Sequence, residues 1–475
     1  MTLNGAHASG RTANFLMKLI WRKPADTLAE RTRRRVIVHL IPWLFFLYIL
    51  AYVDRVNIGM AKLGMAKPTH EGGVEFDDRI TGLGTGIFFW GYWILEMPST
   101  ISVTRWGARW VFVRILVFWG LCTALVGAIG TPLASRVCGW VPFLPDTPEY
   151  QFYFFRFMLG FFEGGFFPSV IVYLSLWFRT QDRAKAIAAF MAAIPFSNIV
   201  GNPISGFILE NITWFELPGW RWIFIIQGVL PMAAGIATLF FLPDRPHMAR
   251  WLSPEERDWL LGELDREHRG KYGHGHRVWV HHLGMVFLLT LVYFCQNLTS
   301  YGLATFMPSI VKAQSGIANN QVIGVLTSLP FVMALIGILV NGRLSDRSGE
   351  RIWHVAVPLT MWSIGLVLVF LVDGMQILPV LVMIFCVGTF LNAHLPAFWP
   401  IPTIFLGSTA AASAIGFINM IGNLGGSVGT TLVGYVSQRT SGYAPAILAI
   451  APFPFLAGCI VLMVGYIRRR VPARN

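Results

Sequence analysis

Apolar residues recur along the chain in runs of membrane-spanning length, separated by shorter polar stretches. Twelve runs are drawn at residues 36–58, 80–101, 110–130, 151–178, 184–209, 221–242, 283–306, 322–342, 352–372, 378–404, 410–434 and 444–467. A helix needs about 20 apolar residues to cross a bilayer, so each run predicts one span. The long polar segment at 243–282 divides them six and six. It carries seven basic and seven acidic residues and reads as a solvated linker. The organisation expected is a tail over 1–35, a six-helix bundle over 36–242, the linker, a second six-helix bundle over 283–467, and a tail over 468–475.

Composition sharpens this picture. The chain has 475 residues, 55% hydrophobic and 13% charged, with a mean hydropathy of +0.58. Soluble domains carry about 25% charged residues. The balance excludes a soluble enzyme, a nucleic-acid module and a disordered chain. The net charge of +13 does not restore a nucleic-acid reading. Of the 37 Lys and Arg residues, 27 lie in or beside the segments on one face and 7 on the other. Basic residues mark the cytoplasmic side, so both termini are expected inside, in an inner (plasma) membrane. The first 35 residues lack the apolar core of a signal peptide, and the stretch Arg31 to Arg35 is expected to pin span 1. The five cysteines are odd in number and only Cys138 falls in an expected loop, so no disulfide framework is expected. The 47 Gly and 27 Pro run through most spans. Small residues let membrane helices approach closely and Pro lets them bend, which suits a protein that rocks between two shapes.

Between spans 8 and 9 stands GRLSDRSGER, with Gly342, Asp346, Arg347, Gly349 and Arg351. It matches G-x-x-x-D-R-x-G-x-R, the loop motif of the major facilitator superfamily. Asp346 is expected to cap or pair across the inner surface as part of a charge lock. The equivalent after span 2 is T-R-W-G-A-R, where Thr104 replaces the acid. Both halves thus share one plan, a repeat expected to place a site at the midplane between them.

Ionisable groups inside a membrane are costly and point to function. Span 1 carries Tyr52, Asp54, Arg55 and Asn57; span 4 carries Arg156 and Glu163. Arg156 and Glu163 are two turns apart, about 10.5 Å, on one helix face. Burial and a nearby Arg act in opposite directions on a carboxyl's proton affinity. Such a pair can therefore switch, or serve as a static salt link. An Arg stays charged in an apolar cavity and can hold a carboxylate there.

D-R-V-N in span 1 with R-x-x-x-G-x-x-E-G-G in span 4 resembles the anion:cation symporters of the major facilitator superfamily. These are permeases for sugar acids, tartrate, phthalate and hydroxyphenylacetate. The similarity extends through Phe88–Ser99, Gly219–Gly228, Leu242–Pro246, Trp251–Arg257, Pro396–Thr403 and Ile418–Gly426. The resemblance implies an all-α membrane protein with the major facilitator fold, twelve transmembrane helices in two six-helix bundles. It implies no enzyme but a secondary active transporter, taking up a small organic anion (a carboxylate) with protons by alternating access. Arg55 is implied to bind the substrate carboxylate, and Arg156 to pair with the proton-carrying acid and share in holding the anion. Asp54 and Glu163 are implied to carry protons, with Tyr52, Tyr92 and Asn419 at the substrate. Gln296 is expected to set the fit from the second half; its neighbour Asn297 cannot face the same way on a helix. No cofactor is implied beyond the proton gradient, and the partners are the anion, protons and the lipid bilayer around a monomer, with no nucleic acid.

The remaining polar residues leave more than one reading. His394 in span 10 fits proton transfer or a helix-bridging structural role. Glu96, in the E-x-P-S pattern of span 2, reads as structural and towards the inner end. The linker histidines, His274 and His276 with His281 and His282, lack a supporting ligand pattern for metal. An exchanger or uncoupled facilitator would use the same residues. A membrane sensor would need a longer soluble domain, and a polytopic enzyme a catalytic cluster at one surface. The aromatic residues of spans 2 and 10 suit an aromatic acid no better than a sugar acid or tartrate.

Overall fold

The computed structural model describes residues 27–270, 283–406 and 408–470. The described residues form helices, with no strand among them. The twelve expected spans are all helical: span 1 is Leu28–Met65, span 2 Asp78–Trp106, span 3 Ala108–Val126, span 4 Pro148–Ser175, span 5 Thr180–Asn211 and span 6 Gly219–Phe241. After the linker, span 7 is Leu283–Ser315, span 8 Asn320–Ser348, span 9 Ile352–Leu371, span 10 Leu378–Thr403, span 11 Ser408–Thr440 and span 12 Tyr443–Ile467. Ten are long and apolar enough to cross a membrane by those measures alone. Spans 2 and 11 fall outside that set. Both are rich in Gly, Ser and Thr, and the reason is their position, packed along each other where the two halves meet.

Local chemistry sets several helix starts. Thr27 accepts from the Glu30 backbone N–H at 3.3 Å, Asp77 from Ile80 at 2.7 Å and Asn319 from Val322 at 3.0 Å. Each side-chain oxygen satisfies a backbone donor that the first helical turn leaves without a partner. Each half then builds its own core. Buried residues between Val36 and Leu264 cluster separately from those between Val286 and Val461.

The halves touch most extensively along two helix pairs, span 2 with span 11 and span 5 with span 8, and also where span 1 meets span 7. A Cβ on Gly82 would come within 2.5 Å of the Thr430 carbonyl, and one on Gly324 within 2.5 Å of the Asn202 carbonyl. Backbones approach this closely only without side chains between them. At the end opposite the termini the contact is also polar. Lys62 pairs with Asp78 and donates to the Tyr443 hydroxyl at 2.8 Å and Ser309 Oγ at 3.3 Å. Tyr443 in turn donates to Asp78 at 3.2 Å. Asn320 donates to Glu210 at 2.8 Å between spans 8 and 5.

Three features differ from expectation. Span 1 continues to Met65, so Lys62 is a buried helix residue rather than part of a loop. Its other end reaches back to Leu28, into the expected tail. The linker holds a helix, Pro254–Gly270, clamped to the first half: Glu256 pairs with Arg31 at 3.2 Å and Arg35 at 2.7 Å, and Glu263 with Arg179 at 3.3 Å. Span 10 is interrupted, with a widened turn at Met383–Val387 and a left-handed Asn392 at φ 61°. Prolines at 396, 400 and 402 remove backbone donors from its second part.

Candidate functional site

Spans 1 and 4 bring their four charges together, as expected, but pair them differently. Arg55 donates from Nε to Glu163 Oε1 at 2.7 Å, with Nη2 at 2.6 Å from the same oxygen. Glu163 therefore pairs with Arg55 and not with Arg156 on its own helix, correcting the expected pairing. Residues two turns apart share a face but lie about 10.5 Å apart along it. The neighbouring helix offers the shorter path.

Gly165 permits this geometry. Span 4 breaks directly after Glu163, and Gly165 takes φ +88° where a Cβ would meet Ser99 Cβ at 2.4 Å. Span 2 can then lie against span 4 at the level of the acid.

Arg55 is also boxed by rings. Its guanidinium carbon lies 4.8 Å from the Tyr52 ring centre, 4.9 Å from Tyr92 and 5.7 Å from Phe88. Its Nη1 donates to the Tyr301 hydroxyl at 3.3 Å. Tyr301 belongs to span 7, so the first half's cation touches the second half directly. Such rings attract a desolvated cation without neutralising it.

Asp54 points away from Arg55. It accepts from Trp119 Nε1, from Thr123 Oγ1 at 2.6 Å and from Asn57 Nδ2 at 2.8 Å, and is fully buried. Arg156 is 1% exposed and lies 5.2 Å from the Phe88 ring centre. Its three guanidinium nitrogens have no hydrogen-bond partner among the described residues. The arrangement holds one engaged cation and one cation without a direct acid.

The second half contributes amides. Gln296 donates to Asn392 Oδ1 at 3.0 Å and so ties span 7 to the break in span 10. Asn297 faces span 11 instead, donating to the Gly422 carbonyl and to Asn423 Oδ1, both at 3.2 Å. The two adjacent amides do point different ways. Asn419 does not stand free: its Nδ2 donates to Glu96 at 2.9 Å. Glu96 is thus at the junction of the halves, not merely a fixture of one helix. His394, 1% exposed, sits just after the Asn392 turn, bonded to nothing through Nδ1 among the described residues.

The loop motif is local. Asp346 pairs with Arg351 at 2.8 Å inside its own loop, and Arg351 also donates to Ser345 Oγ at 2.9 Å. Gly349 closes span 8 at φ +68°, and Gly342 packs against Pro396. Arg347 is exposed. In the first half the acid missing at position 104 comes from elsewhere. Asp244, past the end of span 6, accepts from the Arg109 backbone N–H at 2.8 Å, while Arg109 Nε donates to the Leu242 carbonyl at 3.0 Å.

Sequence reasoning passed over Lys62, Asp244 and the partner of Glu96. The run Gly59-Met60-Ala61-Lys62-Leu63-Gly64-Met65 was the available signal for Lys62, because an apolar run continues on both sides of it. His274, His276, His281 and His282 lie outside the described residues.

Comparison with known proteins agrees with this architecture. The family model described as Major Facilitator Superfamily matches residues 44–430 and 289–475. A "putative tartrate transporter" of Agrobacterium vitis is 35% identical over 441 residues, 93% of this chain and 92% of that protein. The "putative metabolite transport protein NicT" of Pseudomonas putida is 33% identical over 431 residues, 90% of this chain and 92% of that protein. Among solved structures, a bacterial homolog of the human lysosomal transporter Spinster superposes with a TM-score of 0.71 at 14% identity, covering 92% of this chain and 99% of that one.

Proposed function

Because this chain belongs to the major facilitator superfamily, we propose that it takes up a small organic anion, a carboxylate, together with protons by alternating access. It is a multi-pass membrane transporter by its family. The finer reading rests above all on the buried Arg55–Glu163 pair, closed off by Tyr301 of the other half.

A carboxylate leaving water needs a fixed cation, and Arg55 supplies one ringed by aromatic faces. In the described geometry Glu163 occupies it. Substrate and a protonated Glu163 replace an ionised Glu163: the proton neutralises the acid, and the guanidinium turns to the incoming carboxylate. Proton and substrate then promote each other's binding, by linkage, with coupling of about 1–3 kcal/mol. Arg156 and Asp54 form a second charged layer, Asp54 as a second proton carrier. Tyr52, Tyr92, Gln296 and Asn419 shape the fit. Both relatives are bacterial, which with the basic inner loops supports an inner-membrane location with both termini cytoplasmic. The bonds at Lys62 and Glu210 then close the outer end. Tartrate in the name of one relative supports a hydroxylated carboxylate as the first substrate to try.

The test is proton movement in proteoliposomes across a panel of carboxylates. External alkalinisation with one acid, abolished by Glu163→Gln, is the expected result. Exchange of the same acid without proton movement, unaffected by that substitution, overturns proton coupling and leaves an exchanger or facilitator.

A further inference from the structure

We propose that Glu96 is a further proton-carrying acid of the transport cycle, and that it acts by holding the Asn419 amide until it is protonated. The inference rests on proton-linked carboxylate uptake and deepens it.

Glu96 is 4% exposed and Asn419 8%, so their bond is shielded from water. Glu96 belongs to span 2 and Asn419 to span 11, which makes this 2.9 Å bond a contact between halves. Only one carboxylate oxygen is used. Oε2 is buried without a hydrogen-bond partner among the described residues. An ionised carboxylate left buried and half matched is costly, and a proton on Oε2 removes the negative charge.

The groups facing Glu96 are few. Arg55 approaches from span 1, Tyr92 from its own helix, Tyr293 from span 7 and Asn419 from span 11. Span 4 presents Gly165, placed against the Glu96 carbonyl. The one cation in this set, Arg55, is already bonded to Glu163. Among the described residues Glu96 therefore has no ion pair of its own.

A symmetry follows. Each half offers a donor suited to a substrate carboxylate, Arg55 and Asn419, that in this structure is held by an acid. Ionised Glu96 keeps the Asn419 N–H for itself and repels an approaching anion. A proton taken up on Oε2 ends the repulsion and weakens Glu96 as an acceptor. The amide is then released to the substrate, and the new O–H is itself a donor. The second half, whose contacts to the site are amides and hydroxyls, gains its anion contact only in the protonated state.

A merely structural Glu96 would behave differently, because a Gln in its place can accept the same bond. The experiment uses full-length protein in proteoliposomes and the carboxylate that wild type carries, L-tartrate being tried first. The half-saturation concentration for exchange is measured from pH 5.5 to pH 8. Wild type is expected to bind at least about fivefold more tightly at the acid end. Glu96→Gln is expected to lose part of that slope by staying acid-like at every pH. Glu163→Gln is expected to keep the part that Glu96 supplies. An unchanged wild-type slope in Glu96→Gln overturns the proposal. Asn419→Ala is the second arm and does not depend on that variant folding. It is expected to weaken binding at acid pH and to leave alkaline binding nearly unchanged, since the amide is already occupied there. Equal losses at both ends overturn the proposal. If wild type carries no carboxylate of the panel, the functional reading itself falls; if it does and only these variants disagree, the role of Glu96 alone falls.

Discussion

Arg55 Nε donates to Glu163 Oε1 at 2.7 Å, and Arg156, two turns before Glu163 on the same helix, bonds to no acid among the described residues. The two arginines are therefore not equivalent. One sits in an ion pair that substrate must open; the other stands over an aromatic ring.

The contacts of Arg55 use the guanidinium in three directions at once: the acid, the Tyr301 hydroxyl and the ring faces. An ammonium keeps the charge and loses this geometry. Arg55→Lys is expected to raise the half-saturation concentration for the transported carboxylate by about tenfold or more. Uptake kinetics in proteoliposomes check this, and wild-type affinity in the Lys variant would contradict it.

Lys62 and Asp78 form a covered pair at the end opposite the termini, with side chains 4% and 16% exposed. Removing one partner of a buried pair costs about 3–5 kcal/mol, whereas replacing both with apolar residues is often neutral. Lys62→Ala is expected to lower the melting temperature in detergent and to expose this end to thiol reagents at an introduced Ser309→Cys. Lys62→Met with Asp78→Leu is expected to recover most of the melting temperature. Failure of the pair to recover it would show that the charges are not the source of the loss.

Glu256 lies on the linker helix, outside the spans. Burial pushes its carboxyl up, but the Ser253 backbone N–H at 3.0 Å and Arg35 at 2.7 Å outweigh burial and hold it below its ordinary value. A depressed carboxyl stabilises the docked helix above the ordinary Glu range, about 4.3. That contribution is lost as pH falls through the folded value. Amide exchange over 254–270, relative to the unstructured rate, is expected to accelerate about twofold to fivefold on acidification below that range. Glu256→Gln is expected to be fast throughout, with no acid step.

Much of the architecture was legible because apolar run length is a one-dimensional signal. It gave twelve helices, their division into halves and the charged residues of spans 1 and 4. What it missed depended on three-dimensional neighbours. Arg156 and Glu163 share a helix face, yet the bond goes to Arg55, since the rotation and tilt of packed helices decide the partner. Span 1 is predicted to end at residue 58, yet the helix runs on to Met65, because Tyr443 and Asp78 make the burial of Lys62 tolerable. Asp244 replaces the acid absent at position 104 from a place far along the sequence. Span 10 read as a plain apolar run, and only the left-handed Asn392 and its bond to Gln296 reveal the break.

The glycine contacts between the halves have a mechanical consequence. Where Gly82 lies on Thr430 and Gly324 on Asn202, backbone rests on backbone. No interlocked side chains must disengage there for one helix to tilt over the other. Tight packing elsewhere gives a protein discrete, toothed positions; these two strips are smooth rails. Resistance to tilting then falls largely on the packing of the Phe89 ring over Gly426 and on a few polar bonds that cross between the halves, Lys62 to Tyr443, Asn320 to Glu210, Arg55 to Tyr301 and Asn419 to Glu96. A handful of protons and one small anion can then decide the posture of a 475-residue chain, because the friction between its halves has been confined to sites they can reach.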